Sequence, residues 1–278
     1  MKIAIIADVL GEENNGTSIT VTRLIANLKK RGHEVYVVSS GKGDEDGYYA
    51  VGKRDFKIFN EYFEKNGISL AKPNEAVLRT CIEKSDVVHI LMPFSLGKTA
   101  IKLCAELHRP VTTAFHVQPE NVSSHFGLLR SRQVNSWLYT YFLNGFYRYA
   151  EYIHCPTQFI AQQLRAHGYT QDLRVVSNGV DPIFTPAAAP KPQPYADKFC
   201  ILTTGRLVKE KCQGDLIRAI AKSKYADCIQ LFIAGEGPLA NKLRKAGAKL
   251  KNQPVIGFHP KEELAKMINF CDLYVHPS

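Results

Sequence analysis

The chain has 278 residues, which is the length of two ordinary domains or of one large one. Hydrophobic residues make up 45%, charged residues 22% and aromatic residues 10%, a balance that excludes a disordered, collagen-like or coiled-coil protein. No apolar run approaches the roughly 18 residues that cross a bilayer. The net charge of +10 suits phosphate-bearing small molecules or anionic lipid headgroups, and because no nucleic-acid signature is present we expect no nucleic-acid partner.

The seven cysteines are scattered and none forms a Cys-x-x-Cys pair, so neither a disulfide framework nor a zinc knuckle is expected. The histidines show no metal-ligand spacing either, and we expect no metal site. The opening apolar stretch, residues 3–10, is short, is interrupted by Asp8 and lacks a small-residue cleavage site. We therefore interpret it as a strand rather than a signal peptide and predict a cytoplasmic protein.

Short apolar strands alternate with helical patterns in the first part of the chain. The predicted strands are 2–9, 34–39, 87–91, 111–115, 152–155 and 174–176. Residues 17–31 carry apolar side chains at 21, 24, 25 and 28, the spacing of one buried helix face, and Gly32 follows as a C-cap. Alternation of this kind predicts a parallel sheet with helices on both faces.

The predicted helix 131–149 is rich in aromatic residues, namely Trp137, Tyr139, Tyr141, Phe142, Phe146, Tyr147 and Tyr149. Such density favours core packing. The alternative is a surface that meets a lipid-linked acceptor or the membrane interface.

Residues 182–194 include five prolines, which predicts a stiff, extended connector outside any packed element. Beyond it, strands 199–204, 228–234, 254–257 and 272–276 alternate with helices near 213–224, 238–250 and 261–270. We therefore predict an α/β protein with two Rossmann-like domains, the second incomplete. Residues 1–185 form the first domain, 186–197 the proline-rich linker and 198–278 the partial second domain.

Two loops of the first domain place polar groups directly after a strand. The loop 10–18 contains Gly16 and opens a helix whose free amides favour an anion or a hydroxyl, although it lacks the G-x-G-x-x-G fingerprint. The alternative is a plain turn with Thr17 or Ser18 as N-cap. His116 follows strand 111–115 within a polar cluster that could hold sugar hydroxyls or move protons; the alternative is a merely hydrogen-bonded histidine.

A third candidate, Gly97-Lys98-Thr99, resembles the end of a phosphate-binding P-loop. That motif requires glycine five residues before Gly97, where this chain has Met92. We therefore predict that Lys98 lies on an ordinary helix surface.

The strongest signal is a series of three loops in the second domain. Strand 199–204 leads into Gly205-Arg206, and Lys211 follows five residues later. The guanidinium fork and the ammonium point charge together suit a diphosphate, the alternative being plain surface charge.

The other two loops follow the next two strands. In Gly235-Glu236-Gly237-Pro238 the glycines permit close backbone approach, and Pro238 is placed to be the first helical residue. The last loop contains Val255, Ile256, Gly257, Phe258 and His259. Because carboxyl ends of neighbouring parallel strands share one edge, we expect the three loops to form a nucleotide cleft.

Several motifs occur in a specific order over nearly the whole chain: Gly16, Arg-Gly-His-Glu-Val at 31–35, Asn-Gly-Val-Asp at 178–181, Gly205-Arg206 with Lys211, Gly235-x-Gly-Pro-Leu, and Glu263-Leu264 with Cys271-Asp272 and Pro277-Ser278. In this order they resemble the retaining nucleotide-sugar glycosyltransferases of glycosyltransferase family 4, which have two Rossmann-like domains in the GT-B fold.

The resemblance implies roles for individual residues. Arg206 and Lys211 match the pair that holds the donor diphosphate, and His116 matches the histidine that contacts the transferred sugar; these three are the expected catalytic residues. Gly16 matches the glycine whose loop amides approach the donor phosphate. The remaining donor-binding candidates are Gly205, Gly235, Gly237, Val255, Ile256, Gly257 and Phe258, the last four near the nucleobase.

The sequence departs from the family pattern in three respects. Cys212 stands where the family usually has glycine, and Gly16 stands alone where paired glycines are common. The family's two glutamates, eight positions apart beyond a Pro-Ser like that at 277–278, are absent, as are the final helices that cross back to the first domain. The resemblance therefore implies a C-terminally truncated member.

The implied activity is transfer of a hexose from a nucleotide-diphosphate sugar, most often a UDP-sugar, to a hydroxyl of a glycan or glycolipid with retention. Neither a metal nor another cofactor is implied. Two alternatives remain, a nucleotide-sugar epimerase of the same fold and a non-catalytic nucleotide-sugar-binding fragment. The positive charge and the aromatic helix favour a lipid-linked acceptor in cell-envelope synthesis, with the protein cytoplasmic or peripheral at the inner face of the membrane.

Overall fold

This computed structural model describes residues 1–8, 10, 16–40, 46–57, 60, 69–124 and 126–278. They form two compact units, Met1–Asn178 and Gly179–Ser278, and each unit contains a parallel sheet. The predicted α/β class is therefore confirmed. Most of the predicted ligand loop after the first strand, residues 11–15, and the last residue of that predicted strand, Val9, lie outside the described residues.

The first unit is built on a parallel sheet with the strand order β3-β2-β1-β4-β5-β6-β7. Its strands are β1 (Lys2–Ile6), β2 (Glu34–Ser39), β3 (Tyr48–Ala50), β4 (Val87–Ile90), β5 (Val111–Ala114), β6 (Tyr152–Cys155) and β7 (Asp172–Val175). The sequence prediction missed β3, because three half-exposed residues carry no readable alternation. The order of the sheet reverses between β1 and β4, and ligands of such sheets bind beside this switch point.

Helices cover both faces of this sheet. They are α1 (Gly16–Lys30), α2 (Glu75–Glu83), α3 (Ser95–Glu106), α4 (Pro119–Ser124), α5 (Arg132–Gly145) and α6 (Gln158–Ala166). Three of them begin at a side chain that accepts the amide three residues on, namely Asn74, Ser131 and Thr157. The prediction that the aromatic segment packs in the core is confirmed for its inner face, since Tyr139, Phe146 and Tyr147 are fully buried.

The second unit contains a parallel sheet with the order β10-β9-β8-β11. The strands are β8 (Phe199–Thr204), β9 (Ile229–Ala234), β10 (Val255–Gly257) and β11 (Leu273–Tyr274), and the helices are α7 (Gln213–Lys222), α8 (Ala240–Gly247) and α9 (Lys261–Phe270). The order reverses between β8 and β11. The switch point therefore lies beside the loop that follows β8.

The proline-rich segment packs against the second unit, contrary to the expectation of an unpacked connector. The Ala187 amide donates to the Asn269 side chain at 3.0 Å, and Lys191 pairs with Asp272 at 2.6 Å. The ring of Tyr195 lies edge-on to Phe232 with centroids 5.0 Å apart. Proline keeps this segment out of an α-helix, but its backbone donors and the aromatic side chain of Tyr195 still find partners.

Candidate functional site

Three loops meet at the carboxyl edge of the second sheet, after the adjacent strands β8, β9 and β10. Backbone hydrogen bonds join them: Gly205 N–H donates to Ala234 O at 3.0 Å, Gly235 N–H to Gly257 O at 2.7 Å, Leu207 N–H to Glu236 O at 2.8 Å and Leu239 N–H to Leu207 O at 3.0 Å. The predicted meeting of these three loops is thus present in the structure as an interlocked backbone.

Glycine is required where the loops touch. Gly235 and Gly237 have φ of +157° and +153°, a region that residues with a Cβ rarely adopt. A Cβ at Gly235 would overlap the carbonyl oxygen of Gly205, and one at Gly237 would lie 2.7 Å from Leu207 O. The close approach that the sequence predicts therefore occurs between the loops themselves.

The two cations lie on the loop after β8, at the switch point of the sheet. Arg206 is half-buried and its guanidinium pairs with Glu210 at 3.2 Å. The methylenes of Lys211 lie 3.9 Å from the position of a Cβ on Gly205, so the lysine side chain folds over this glycine. The structure thus holds both positive charges on one short loop.

Gln213, which the sequence analysis did not single out, supports this loop from behind. Its side chain is buried, and its Nε2 donates to the backbone carbonyl of Arg206 at 2.9 Å. Its Oε1 is buried without a hydrogen-bond partner among the described residues. No sequence signal marks it, because a glutamine at a helix start is ordinary.

The start of α7 explains the family's preference for glycine after the lysine. Cys212 precedes the helix with φ of +51°, in the left-handed region where glycine costs least. The amides of the first turn of α7 begin directly after the loop that carries Arg206 and Lys211.

Two further sequence expectations concern the neighbouring loops. Pro238 lies in a turn and α8 begins at Ala240, so the prediction that this proline starts the helix is wrong. The reason is the hydrogen bond from Leu239 N–H to Leu207, which ties these residues to the adjacent loop. Val255 and Ile256 pack against the two cores on opposite faces of the sheet, whereas Phe258 is exposed.

In the first unit, His116 follows a strand end that large aromatic side chains hold in place. Phe115 is buried and stacks on Tyr139, with centroids 6.1 Å apart and planes 3° from parallel. Tyr147 contacts Phe115 at 5.4 Å and donates its hydroxyl to Ala114 O at 3.1 Å. The aromatic helix therefore positions the residues directly before His116.

Two more histidines lie beside His116. The rings of His116 and His154 meet edge-to-face with centroids 5.6 Å apart, and His154 Nε2 lies 2.7 Å from Val176 O. His89 Nδ1 lies 2.8 Å from the Thr112 hydroxyl on the neighbouring strand.

Burial, with a smaller effect of His154, lowers the pKa of His116 to about 4. For His89, burial and then His154 and His116 lower the pKa to about 3. These two imidazoles are thus neutral at pH 7, and suit hydroxyl groups better than phosphate. No sequence signal marks His89 or His154 as part of this cluster, although both lie on predicted strands that flank strand 111–115.

Asp8 is a further buried polar group, and the sequence predicts no role for it in the site. Its side chain is buried and accepts a hydrogen bond from the Ala71 amide at 3.0 Å. Burial raises the pKa of Asp8 to about 7, and the hydrogen bond from Ala71 opposes the shift. The backbone oxygen of Ala71 in turn lies 3.3 Å from the Ser95 hydroxyl, so Asp8 links β1 to the start of α3.

The remaining candidate residues of the first unit are Gly16, Gly97 and Lys98. Gly16 is the first residue of α1, and a Cβ there would meet nothing within 4 Å. Lys98 lies on α3 as predicted, with its ammonium 3.9 Å from the ring centroid of Tyr141. Gly97 is a packing residue, because a Cβ there would overlap the carbonyl oxygen of Met92.

Among the described residues, no three histidine, cysteine, aspartate or glutamate side chains cluster as metal ligands. In the same part of the chain, no helix has both the length and the apolar character that crossing a membrane requires.

The chain is similar to known proteins both in sequence and in structure. A GDP-mannose-dependent alpha-mannosyltransferase of Corynebacterium glutamicum is 26% identical over 292 residues, which cover 100% of this chain and 67% of that protein. An alpha-monoglucosyldiacylglycerol synthase of Streptococcus pneumoniae is 22% identical over 302 residues, which cover 100% of this chain and 66% of that protein. The chain thus spans about two thirds of the length of these relatives.

The solved structure of Anabaena HepE in complex with UDP and glucose superposes with a TM-score of 0.71 at 16% identity, covering 100% of this chain and 74% of that chain. This similarity confirms the fold, two Rossmann-like units of the GT-B type. The family model described as Glycosyl transferases group 1 matches residues 185–278. Since the model described as Glycosyltransferase Family 4 matches residues 14–184, more than half of the sequence, the chain belongs to glycosyltransferase family 4.

Proposed function

We propose that the protein transfers a hexose from a nucleotide-diphosphate sugar to a hydroxyl acceptor, a glycan or a glycolipid, with retention at the anomeric carbon. The observation that carries the proposal is the pair Arg206 and Lys211, held on one loop at the switch point of the second sheet. The loop leads directly into α7, whose first amides add partial positive charge.

The chemistry of the donor requires positive charge at this place. When the sugar departs, negative charge develops on the diphosphate, and preorganised cations stabilise it. The Arg206 guanidinium offers a two-pronged contact and the Lys211 ammonium a point charge. We therefore propose that these side chains supply the charge without a metal ion, so a chelator should leave turnover unchanged.

The proposed sugar and acceptor come from the relatives and from His116. One relative is named for GDP-mannose and another for glucosyl-diacylglycerol, and HepE was solved with UDP and glucose. We propose a UDP-hexose donor and a lipid-linked acceptor, with the protein in the cytoplasm or at the membrane's inner face. His116 is neutral at pH 7 and would hydrogen-bond a hydroxyl of the transferred sugar.

The decisive experiment measures donor binding and sugar transfer with UDP-glucose and GDP-mannose. Arg206→Ala and Lys211→Met should each lower turnover on the order of a hundredfold, the typical loss of one preorganised donor group. Methionine keeps the methylenes that cover Gly205 and removes only the charge. Arg218→Ala and Lys209→Ala remove exposed cations of the same unit and should stay within about twofold. Equal losses in all four variants would contradict the assignment.

A double variant distinguishes a direct contact of Arg206 with the donor from simple neutralisation of Glu210. Arg206→Ala leaves Glu210 without its ion-pair partner, and this negative charge would itself repel a diphosphate. In the double variant Arg206→Ala/Glu210→Gln that repulsion is absent. If donor affinity returned to the parent value in the double variant, Arg206 would serve only to neutralise Glu210.

Product analysis separates transfer from its alternatives. Nuclear magnetic resonance of the product should show the anomeric configuration of the donor. An altered nucleotide sugar formed without any acceptor would indicate an epimerase, and donor binding without turnover would indicate a binding protein.

A further inference from the structure

The imidazole of His116 has few contacts of its own. Among the residues that the structure describes, neither of its ring nitrogens makes a hydrogen bond, and its aromatic contact is the edge-to-face one with His154, with centroids 5.6 Å apart. Ring nitrogens without a protein partner suit a substrate hydroxyl. A side chain that no hydrogen bond fixes can nevertheless occupy several rotamers, so the orientation of this ring depends on its neighbour.

His154, on β6, is anchored through both its side chain and its backbone. Its Nε2 lies 2.7 Å from Val176 O, and because a carbonyl oxygen only accepts, this nitrogen carries a proton and donates it. The Val176 amide in turn donates to Cys155 O at 3.0 Å. The backbone oxygen of His154 accepts from the Phe115 amide at 2.9 Å. One residue therefore contacts both the ring of His116 and the backbone directly before it.

Two other ionisable groups beside these rings have partners elsewhere. His89 Nδ1 lies 2.8 Å from a threonine hydroxyl on β5. Arg174, in register with His154 on β7, pairs with Asp172 at 2.5 Å. Among the described residues, His154 is thus the side chain that touches the His116 ring and is itself fixed by a hydrogen bond.

We propose that His154 is a positioning residue for His116 and holds its imidazole in one orientation, ready to hydrogen-bond a hydroxyl of the transferred sugar. This role rests on the proposed function. Edge-to-face rings at this separation attract one another, and the hydrogen bond to Val176 stops His154 from turning away. Loss of the contact leaves His116 present but misdirected, which lowers turnover. Donor binding should change little, because Arg206 and Lys211 are proposed to hold the diphosphate.

Three substitutions separate the contacts of the His154 side chain. His154→Ala removes both, His154→Phe keeps a ring beside His116, and His154→Gln keeps an amide that can donate to Val176. With UDP-glucose as donor, kcat should fall about tenfold or more in His154→Ala, while KM for the donor stays within about twofold. His154→Phe should recover part of this loss and His154→Gln little of it, since the ring makes the contact.

A second measurement needs no donor. Burial lowers the pKa of His116 to about 4. In His154→Ala this pKa should rise to about 5 or above, because water reaches an imidazole that has lost its neighbour. Nuclear magnetic resonance of 15N-labelled protein follows the titration, and His116→Gln identifies the signal by removing it. If His154→Ala does not fold, as judged by circular dichroism, His154→Gln replaces it, since this variant also lacks the ring.

His167→Ala is the matched control. It removes a half-buried imidazole of the same unit that stacks on Tyr139 and lies 2.8 Å from Gln163 O, so its loss of stability should be comparable. The pKa of His116 should stay at the parent value, and kcat should stay within about twofold.

An unchanged pKa of His116 in His154→Ala would overturn the proposal. Equal losses of kcat in His154→Ala and His167→Ala would do the same, since they would indicate a general loss of stability. If the parent transfers no sugar, the proposed function fails, whereas the titration still decides whether His154 positions His116.

Discussion

The loops after β5 and β8 both follow the carboxyl end of a parallel strand. Their conformations depend on different features, namely large side chains after β5 and the absence of side chains after β8. In the second unit, Gly235 and Gly237 let neighbouring backbones touch, so the loop with Arg206 depends on missing side chains. In the first unit, Phe115 and Tyr147 fill the space behind His116, so its position depends on large side chains. A methyl group added at either glycine would clash with the neighbouring backbone. Removal of atoms from a packed aromatic side chain instead lowers the stability of the fold by an amount that depends on the cavity left behind.

The largest effect is expected at Gly235. A Cβ there overlaps the Gly205 carbonyl and the backbone is in a region unfavourable to alanine, so Gly235→Ala should lower the free energy of unfolding by about 3 kcal/mol or more. Denaturant titrations followed by circular dichroism should show the loss. Trp137, the only tryptophan, lies in the first unit, and its fluorescence midpoint should change little.

Gly257→Ala provides the control for stability. A Cβ at Gly257 would meet nothing within 4 Å, and this residue is not in the left-handed region. Its free energy of unfolding should stay within about 0.5 kcal/mol of the parent. If both variants were equally stable, the interlock of the loops would not be what shapes the site.

A medium effect is expected from pH in the first unit. An unfolded histidine titrates near 6.5, and burial lowers the pKa of His116 to about 4. Between these values the unfolded chain binds more protons than the folded chain, so stability falls as pH falls from about 6.5 to 4. Relative to His116→Gln, the parent should lose about 1–3 kcal/mol across that window, allowing for partial exposure.

The comparison with a variant is necessary because Asp8 acts in the opposite sense. Burial raises the pKa of this carboxyl to about 7, so its contribution to stability grows as pH falls towards 4. Trp137 fluorescence in denaturant titrations at pH 7, 5.5 and 4.5 would measure the difference between parent and His116→Gln. If the stability difference between the parent and His116→Gln were the same at all three pH values, the buried neutral imidazole would be refuted.

The smallest effect is expected from removing one hydroxyl of the aromatic cluster. Tyr147→Phe loses the hydrogen bond to Ala114 O but keeps the ring that packs on Phe115, and should cost about 1 kcal/mol. Tyr149→Phe, at an exposed position in the same unit, should cost less than about 0.5 kcal/mol. Thermal unfolding followed by Trp137 fluorescence would separate them, and equal midpoints would argue that the Tyr147 hydroxyl contributes nothing.

Much of the fold could be predicted because runs of apolar residues and helical spacing are local features of the sequence. The runs of apolar residues at 34–39 and 199–204 are strands with those bounds, and the helix 261–270 was predicted correctly as well. The short strand β3 and the true start of α8 were missed, since pairing with β2 and a hydrogen bond to Leu207 determine them. Contacts between distant segments leave no periodic pattern in the sequence.

The residues of the candidate site likewise fall into those that the sequence predicts and those that it does not. Arg206, Lys211 and the glycines could be named from their spacing after predicted strands, and the ordered motifs led to the family. The support of Arg206 by Gln213 and the meeting of His116 with His89 and His154 could not. The histidines become neighbours only because β4, β5 and β6 lie side by side.

The sequence by itself determined the α/β class, the two units and the residue types at each strand end, since propensity, periodicity and turn chemistry act within a few residues. Tertiary structure alone decided which glycines must stay glycine, that the proline-rich segment docks on the second unit, and which histidines lose their charge. Those properties arise from steric overlap and desolvation by residues far apart in the chain, which become neighbours only on folding.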